Sequence, residues 1–179
     1  DVGLELGLFN NRVFVLADYY DTKTRDLLLN VAISSVSGFE TTLRNLGKVQ
    51  NKGFEIALST KNFVGDFSWD TDINFSTNKN EVLALNEGNE PIYSTGSAGI
   101  RHVTRVGDPI GSYYGYVVEG IYQTQEEIDN APFDTQAPNP GPGDFKFKDI
   151  DGDGQITPDD RTVTGSYFPD FTWGINNKF

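Results

Sequence analysis

The chain has no cysteine, no methionine and a single histidine, His102, in 179 residues. Without thiols it has no disulfide framework, no thiolate zinc site and no cysteine nucleophile, and one imidazole cannot build a histidine metal cluster. Cations are also scarce: 14 Lys and Arg stand against 26 Asp and Glu, a net charge of −12. Nucleic acid and anionic lipid surfaces call for clustered Lys and Arg, so the chain-wide charge argues against both and suits cations or neutral ligands. Long apolar runs are missing. The longest, Val13 to Ala17, falls far short of the roughly 20 residues of a membrane-spanning helix. The opening Asp1-Val2-Gly3-Leu4 has neither a basic nor an apolar leader stretch, and with the missing methionine it reads as an internal fragment or a processed chain.

Catalytic signatures are absent as well. There is no Gly-x-Ser-x-Gly and no phosphate-cradling glycine motif before a helix. His102 stands alone between Arg101 and Arg105 and reads as a solvated loop residue. The acids are numerous, but no pair is set apart as a glycosidase pair would be. No enzyme is expected.

What is present is aromatic and alternating. Aromatics make up 13% of the chain, with 13 Phe and 8 Tyr, too many large side chains for intrinsic disorder. Val2, Leu4, Leu6 and Leu8 alternate with small or polar residues up to a tight turn at Asn10-Asn11, where Asn tolerates the left-handed backbone of a short hairpin loop. The next strand is expected from Arg12 to Val31, longer than an ordinary strand. Further alternation runs from Gln50 to Thr60, from Phe67 to Ser76 and from Phe171 to Phe179. Short connections at Asn10-Asn11 and Lys61 to Asp66 alternate with long ones at Ser34 to Lys48 and Asn80 to Tyr167. That asymmetry, the strand lengths and the aromatics near strand ends fit an outer-membrane barrel, in which lipid rather than a second sheet covers the apolar face.

The fold expected is therefore all-β, part of a transmembrane antiparallel β-barrel with long extracellular loops. Residues 1–80 supply four barrel strands, 81–167 a long extracellular region, and 168–179 a further strand. Val13, Val15, Phe54, Ile56, Leu58, Trp69, Ile73 and Phe75 are expected to face lipid, and Asp70, Asp72, Asn74 and Ser76 to face the lumen. Within 81–167, Gly111 to Gln123 reads as a strand or hairpin, and Ala131 to Asp144 as a Pro and Gly punctuated linker.

One segment carries specific chemistry. Asp149-Ile150-Asp151-Gly152-Asp153-Gly154-Gln155-Ile156-Thr157-Pro158-Asp159-Asp160 matches a calcium loop of the EF-hand type, in which carboxylates converge on the ion and a glycine makes the sharp turn. Asp149, Asp151 and Asp153 take the first ligand places. Gln155 would offer its carbonyl, Thr157 its hydroxyl or a water, and Asp160 the final carboxylate. An EF-hand has Glu at that last place, and the stretch before Asp149 alternates like a strand instead of forming a helix. The loop thus looks more like those of dockerin-like modules, with Thr157-Pro158 starting a short helix. Bound Ca²⁺ here would brace a loop. The alternative is an acidic surface turn with no ion.

Several segments together resemble a known family, the SusC/RagA-type TonB-dependent transporters. They are Gly7 to Arg12; Asp18-Tyr19-Tyr20-Asp21 with Asp26 to Leu29; Asn45 to Glu55; Val106-Gly107-Asp108-Pro109-Ile110-Gly111-Ser112-Tyr113-Tyr114-Gly115-Tyr116 with Gly120 to Gln123; and Asp149 to Asp160 followed by Pro169 to Gly174. The resemblance implies an outer-membrane barrel of about 22 strands in a Gram-negative bacterium, closed by an N-terminal plug. It also implies a SusD-like surface lipoprotein as lid and TonB, acting through a part of the protein not in this chain, as the driver of glycan or peptide import. The partners implied are the rest of the same barrel and its plug, that lipoprotein, TonB and outer-membrane lipid, with no nucleic acid. A rival class, a calcium-stabilised secreted β-sandwich for adhesion or carbohydrate binding, shares the acidic, cysteine-free, aromatic-rich composition. Tyr113, Tyr114 and Tyr116 are candidate substrate contacts, because an aromatic face with a hydroxyl can stack on a sugar ring.

Overall fold

A computed structural model describes residues 1–32, 41–45, 47–85, 88–96 and 99–179. Much of the long connection expected at Ser34 to Lys48, together with Leu46 of the Asn45 to Glu55 segment, lies outside the described residues.

More than half of the described residues lie in strands and very few in helix, as the alternation requires. Five long strands, β1 (Val2–Leu8), β2 (Val13–Arg25), β5 (Lys48–Phe63), β6 (Trp69–Ala84) and β15 (Thr172–Lys178), form one antiparallel sheet in the order β1-β2-β5-β6-β15. Between them lie the pair β3 (Leu28–Ala32) and β4 (Thr41–Asn45) and the short strands β7 (Ile92–Thr95), β8 (Arg101–Thr104), β9 (Ser112–Gly115), β10 (Val118–Ile121), β11 (Phe133–Asp134), β12 (Phe145–Phe147), β13 (Gln155–Ile156) and β14 (Thr162–Gly165). The single α-helix among the described residues, α1 (Gln125–Asp129), is capped by Thr124, which accepts from the Glu127 N–H. The chain divides into two compact units: residues 1–92, 104–110 and 167–179 in the first, and 93–103 and 111–166 in the second.

In the first unit, strand register sorts the residues into two faces. Leu6, Val15, Leu58, Ile73 and Ile175 form one cross-strand row, and Leu4, Ala17, Ile56, Phe75 and Trp173 the next. None of the residues expected to face lipid is buried: Phe54, Ile73 and Phe75 are exposed, and Val13, Val15, Ile56, Leu58 and Trp69 are half-buried. Aromatic rings bracket this band. Phe63, Trp69 and Phe179 stack in series at the short-turn end, with Phe67 tilted against Phe63, and Phe75 stacks on Phe171 at 5.9 Å toward the other. The opposite face carries Asp70, Asp72, Asn74 and Ser76, with Asp72 accepting from Ser59 Oγ at 2.7 Å and Asp70 in register between Lys61 and Lys178.

Two expected boundaries move. The strand foreseen from Arg12 to Val31 ends at Arg25, because Asp26 turns left-handed (φ 61°) and its N–H bonds the Gly47 carbonyl; the chain then restarts as β3, paired with β4. Gly47 (φ 86°) sits opposite, and a Cβ there would lie 2.3 Å from the Ala84 carbonyl oxygen. The Phe67 to Ser76 strand instead continues to Ala84 as β6.

The short-turn end is tied by Arg12, whose guanidinium donates to the carbonyls of Lys61 and Asn62. At the other end Val49, Val82 and Leu85 form a buried cluster with Leu27, Ile92 and Ile110 packed on it. There the Val106 to Ile110 segment latches onto β6: Val82 N donates to the Asp108 carbonyl (3.0 Å), Gly107 N to the Val82 carbonyl (2.9 Å) and Ile110 N to Asn80 Oδ1 (2.8 Å). The buried Asn80 also donates to Asn51 Oδ1 at 2.8 Å, so its amide is used at both ends.

Candidate metal centre and loop aromatics

In the second unit, β14, β9, β8 and β7 form a four-stranded sheet, and β10 pairs with β12. The expected strand or hairpin over Gly111 to Gln123 resolves into β9 and β10, which pair with other strands and not with each other. Within the expected linker, β11 lies parallel to β13, fixing Phe133 and Asp134 beside Gln155 and Ile156.

That contact anchors the acidic loop. Phe133 N donates to the Gly154 carbonyl, and Thr135 holds the Ile156 carbonyl with its N–H and its hydroxyl. Ile156 is buried at 2% exposure, the apolar pin between acids. Across the loop, Lys148 N donates to the Val117 carbonyl. Positive φ at Gly152 (77°) and Gly154 (83°) makes the two sharp turns.

Candidate oxygens of Asp149, Asp151 and Asp153 lie within 4.8 Å of one another. Asp149 accepts from the N–H groups of Gly152 (2.6 Å) and Gly154 (2.9 Å), Asp151 from Asp153 N, and Asp153 from Gln155 N. The donor set is all carboxylate oxygen, the chemistry a hard divalent cation selects. Its electrostatics agree. The hydrogen bond from Asp153 N pulls the Asp151 carboxyl down, but desolvation and the carboxylates of Asp153, Asp160 and Asp149 outweigh it, leaving its pKa above the usual value. Those carboxylates repel, and a cation would relieve them.

Asp160 lies outside this trio. Its side chain is fully buried; Oδ1 accepts from Ile150 N and Oδ2 from Thr157 N, both at 2.7 Å. Thr157 Oγ1 accepts from Asp159 N, closing a capping box around a 3-10 turn at Pro158–Asp160. The hydrogen bond from Thr157, with further ones from Ile150 and Asp151, holds the Asp160 carboxyl below the usual range against the opposing effect of desolvation. These two bonds tie the ends of the loop together.

The three tyrosines do not make one surface. Tyr113 and Tyr114 are neighbours on β9 and so point to opposite faces. Tyr113 packs on His102 (5.4 Å between ring centres) and Tyr114 on Tyr93 (5.1 Å). Tyr116 packs on Phe147 at 5.3 Å with the Arg161 guanidinium 4.9 Å from its ring centre. Phe147 and Arg161 flank the acidic loop, so Tyr116 is a strut for that loop. Tyr93, 54% exposed, was invisible as a candidate because its partner lies far along the chain.

The match to known proteins covers the chain nearly end to end. The family model for the TonB dependent receptor-like β-barrel matches residues 1–174. The chain belongs to the TonB-dependent receptor β-barrel family. TonB-dependent receptors P3 and P26 of Formosa agariphila are 36% and 39% identical over 99% of the chain, and TonB-dependent receptor SusC of Bacteroides thetaiotaomicron is 28% identical over 99%. The chain spans only 17–18% of these relatives' length. The fold matches that of the RagAB peptide transporter, with a TM-score of 0.72 at 23% identity over 97% of the chain. The chain thus corresponds to one stretch of a TonB-dependent receptor barrel and is similar to the matching part of SusC and of RagAB; the sequence relatives are receptors rather than enzymes. Its five-stranded sheet leaves β1 and β15 as open edges among the described residues.

Proposed function

We propose that this chain is a wall and loop segment of a TonB-dependent importer in the outer membrane of a Gram-negative bacterium, taking up oligomeric nutrients such as oligosaccharides or short peptides. The observation that carries the reading is the two-faced sheet: an unburied apolar band bracketed by stacked aromatics on one side, and Asp70, Asp72, Asn74 and Ser76 on the other. A lipid-facing wall needs the first face, and a lumen that passes polar solutes suits the second. In the parent protein this segment would work with the rest of the barrel and a plug, a SusD-like surface lipoprotein and TonB. Oligosaccharide and peptide are both compatible with the polar face and the loop tyrosines.

In this reading Asp149, Asp151 and Asp153, with the carbonyl of Gln155 and a hydroxyl or water at Thr157, hold Ca²⁺, and Asp160 closes the loop around it. The ion supplies charge neutralisation and rigidity. The residues themselves keep the loop ends pinned to Val117 and Phe133.

Deleting Gly111 to Gln123 from the full-length receptor tests the function. Uptake of the oligomer should fall while the barrel still inserts. Unchanged uptake of every oligomer by the inserted variant would remove this loop from the import path, and a 179-residue chain that is monomeric and melts cooperatively without detergent would overturn the membrane reading.

A further inference from the structure

The apolar band ends before the strands do. On its face of the sheet, the row Tyr19–Phe54–Thr77 is followed by Asp21–Lys52–Lys79, then Lys23–Gln50–Glu81, then Arg25 opposite Lys48. Register therefore gathers Lys23, Arg25, Lys48, Lys52 and Lys79, five cations, around two carboxylates, Asp21 and Glu81. Asp21 accepts from Gln50 Nε2 at 2.5 Å and Glu81 pairs with Lys79, one of the five, at 3.6 Å, so five cations against two carboxylates leave an excess of three positive charges. The reverse face of the same stretch shows Thr22, Thr24, Asn51, Asn78 and Asn80, with no charge to cancel the field. In a chain whose net charge is −12, this is a local inversion of sign. Lys23, Arg25, Lys48 and Lys79 are exposed and Lys52 is half-buried beside the apolar band, where a long aliphatic stem can lie along the band while its ammonium reaches the interface.

We infer that these rows are a binding surface for the phosphate-bearing headgroups of outer-leaflet lipid. The inference rests on the membrane-wall reading and adds what the wall selects at its rim. Position and charge both favour this partner. The cations begin one row beyond Tyr19 and Phe54, the height at which an interfacial aromatic gives way to headgroups, and they lie at the end of the sheet that carries the long connections. A uniform coat of Lys and Glu would serve solubility alone; five cations concentrated over three rows attract phosphate. The net charge of the whole chain argues against anionic lipid because it averages over acids that sit elsewhere, on the lumenal face and in the loop at Asp149 to Asp160.

The test uses the full-length receptor in detergent, titrated with lipid A, with phosphatidylcholine as the neutral lipid and inorganic phosphate as the free anion. Retained lipid is read by native mass spectrometry. Lipid A should be retained in preference to phosphatidylcholine, should be weakened by salt, and should not be displaced by inorganic phosphate at matching concentration. Replacing Lys23, Arg25, Lys48, Lys52 and Lys79 with Gln should weaken retention by about fivefold per charge removed. The smaller set Lys23→Gln, Arg25→Gln and Lys48→Gln should give a graded loss, and it serves if the larger set does not fold. Equal retention of both lipids, unchanged retention by the folded variants, or competition by inorganic phosphate would each overturn the proposal. A receptor that needs neither detergent nor lipid would instead overturn the membrane reading beneath it.

Discussion

Asp160 offers the sharpest test of how the acidic loop is built. Its two oxygens accept from Ile150 N and Thr157 N at 2.7 Å beneath a fully buried side chain. Bonds to a charged acceptor contribute about 1.5–3 kcal/mol each, and the lower figure applies because the loop is thin. Asp160→Ala should therefore cost roughly 3 kcal/mol of local stability, more than a hundredfold in the opening equilibrium. Asp160→Asn keeps one acceptor and should cost about half as much. Amide hydrogen exchange of the full-length receptor reads this directly, at Ile150 and Thr157, with strand amides of β5 as the internal standard. The sign with pH follows from the lowered pKa. The contribution is complete above the unfolded value of about 3.9 and is lost as pH falls through the lower folded value, so protection should persist to about pH 4 and fail below it. Unchanged exchange in Asp160→Ala would refute the capping role. A loss of calcium affinity in Asp160→Asn as large as in Asp149→Asn would show that Asp160 is chiefly a ligand.

Calcium affinity of the receptor, measured by calorimetry, should fall as pH drops through the raised pKa of Asp151, because protonation removes a ligand; affinity independent of pH down to the ordinary carboxylate range would count against that ligand set. Ile73→Lys on the apolar face should cost about 2–4 kcal/mol of folding into lipid vesicles if it lies near the bilayer midplane, while Asn74→Lys on the reverse face should fold normally; equal penalties would mean the faces are misassigned. Gly53→Ala would place a Cβ 2.1 Å from the Thr77 carbonyl oxygen and 2.4 Å from the Tyr20 hydroxyl, so heat resistance of the folded barrel on gels should drop. Ligand binding, if it uses the loop tyrosines, should respond to Tyr113→Ala or to Tyr114→Ala but not equally to both, since they occupy opposite faces of β9.

The wall was legible because period-2 alternation over an apolar band leaves little freedom: a slip of one residue would turn Ile56, Leu58, Ile73 and Phe75 into the lumen. Beyond that band the signal fades. Lys48 to Gly53 and Thr77 to Ala84 are polar on the lipid side too, so the continuation of β6 to Ala84 and the cationic rows were not apparent until register aligned them. The break at Asp26 depends on a left-handed residue and one bond to Gly47, a detail that local composition does not announce. The acidic trio was readable from spacing alone, whereas the backbone bonds of Asp160 and the strut role of Tyr116 required partners far along the chain. The four-residue strands of the second unit carry almost no periodicity to read, and β9 and β10 also pair with strands far along the chain, β14 and β12.

The latch at Asn80, Val82 and Ile110 has a consequence for how such a segment tolerates change. By returning the chain to β6 at Thr104–Ile110, it turns one long excursion into two closed circuits, Tyr93–Val103 and Gly111–Ser166. Because closure entropy grows only slowly with length, either circuit can gain or lose residues while the register of β5, β6 and β15 is unaffected. The wall is a fixed frame, but β7 and β8 of the first circuit share a sheet with β9 and β14 of the second, so a change in the paired strands of one circuit has to be matched in the other.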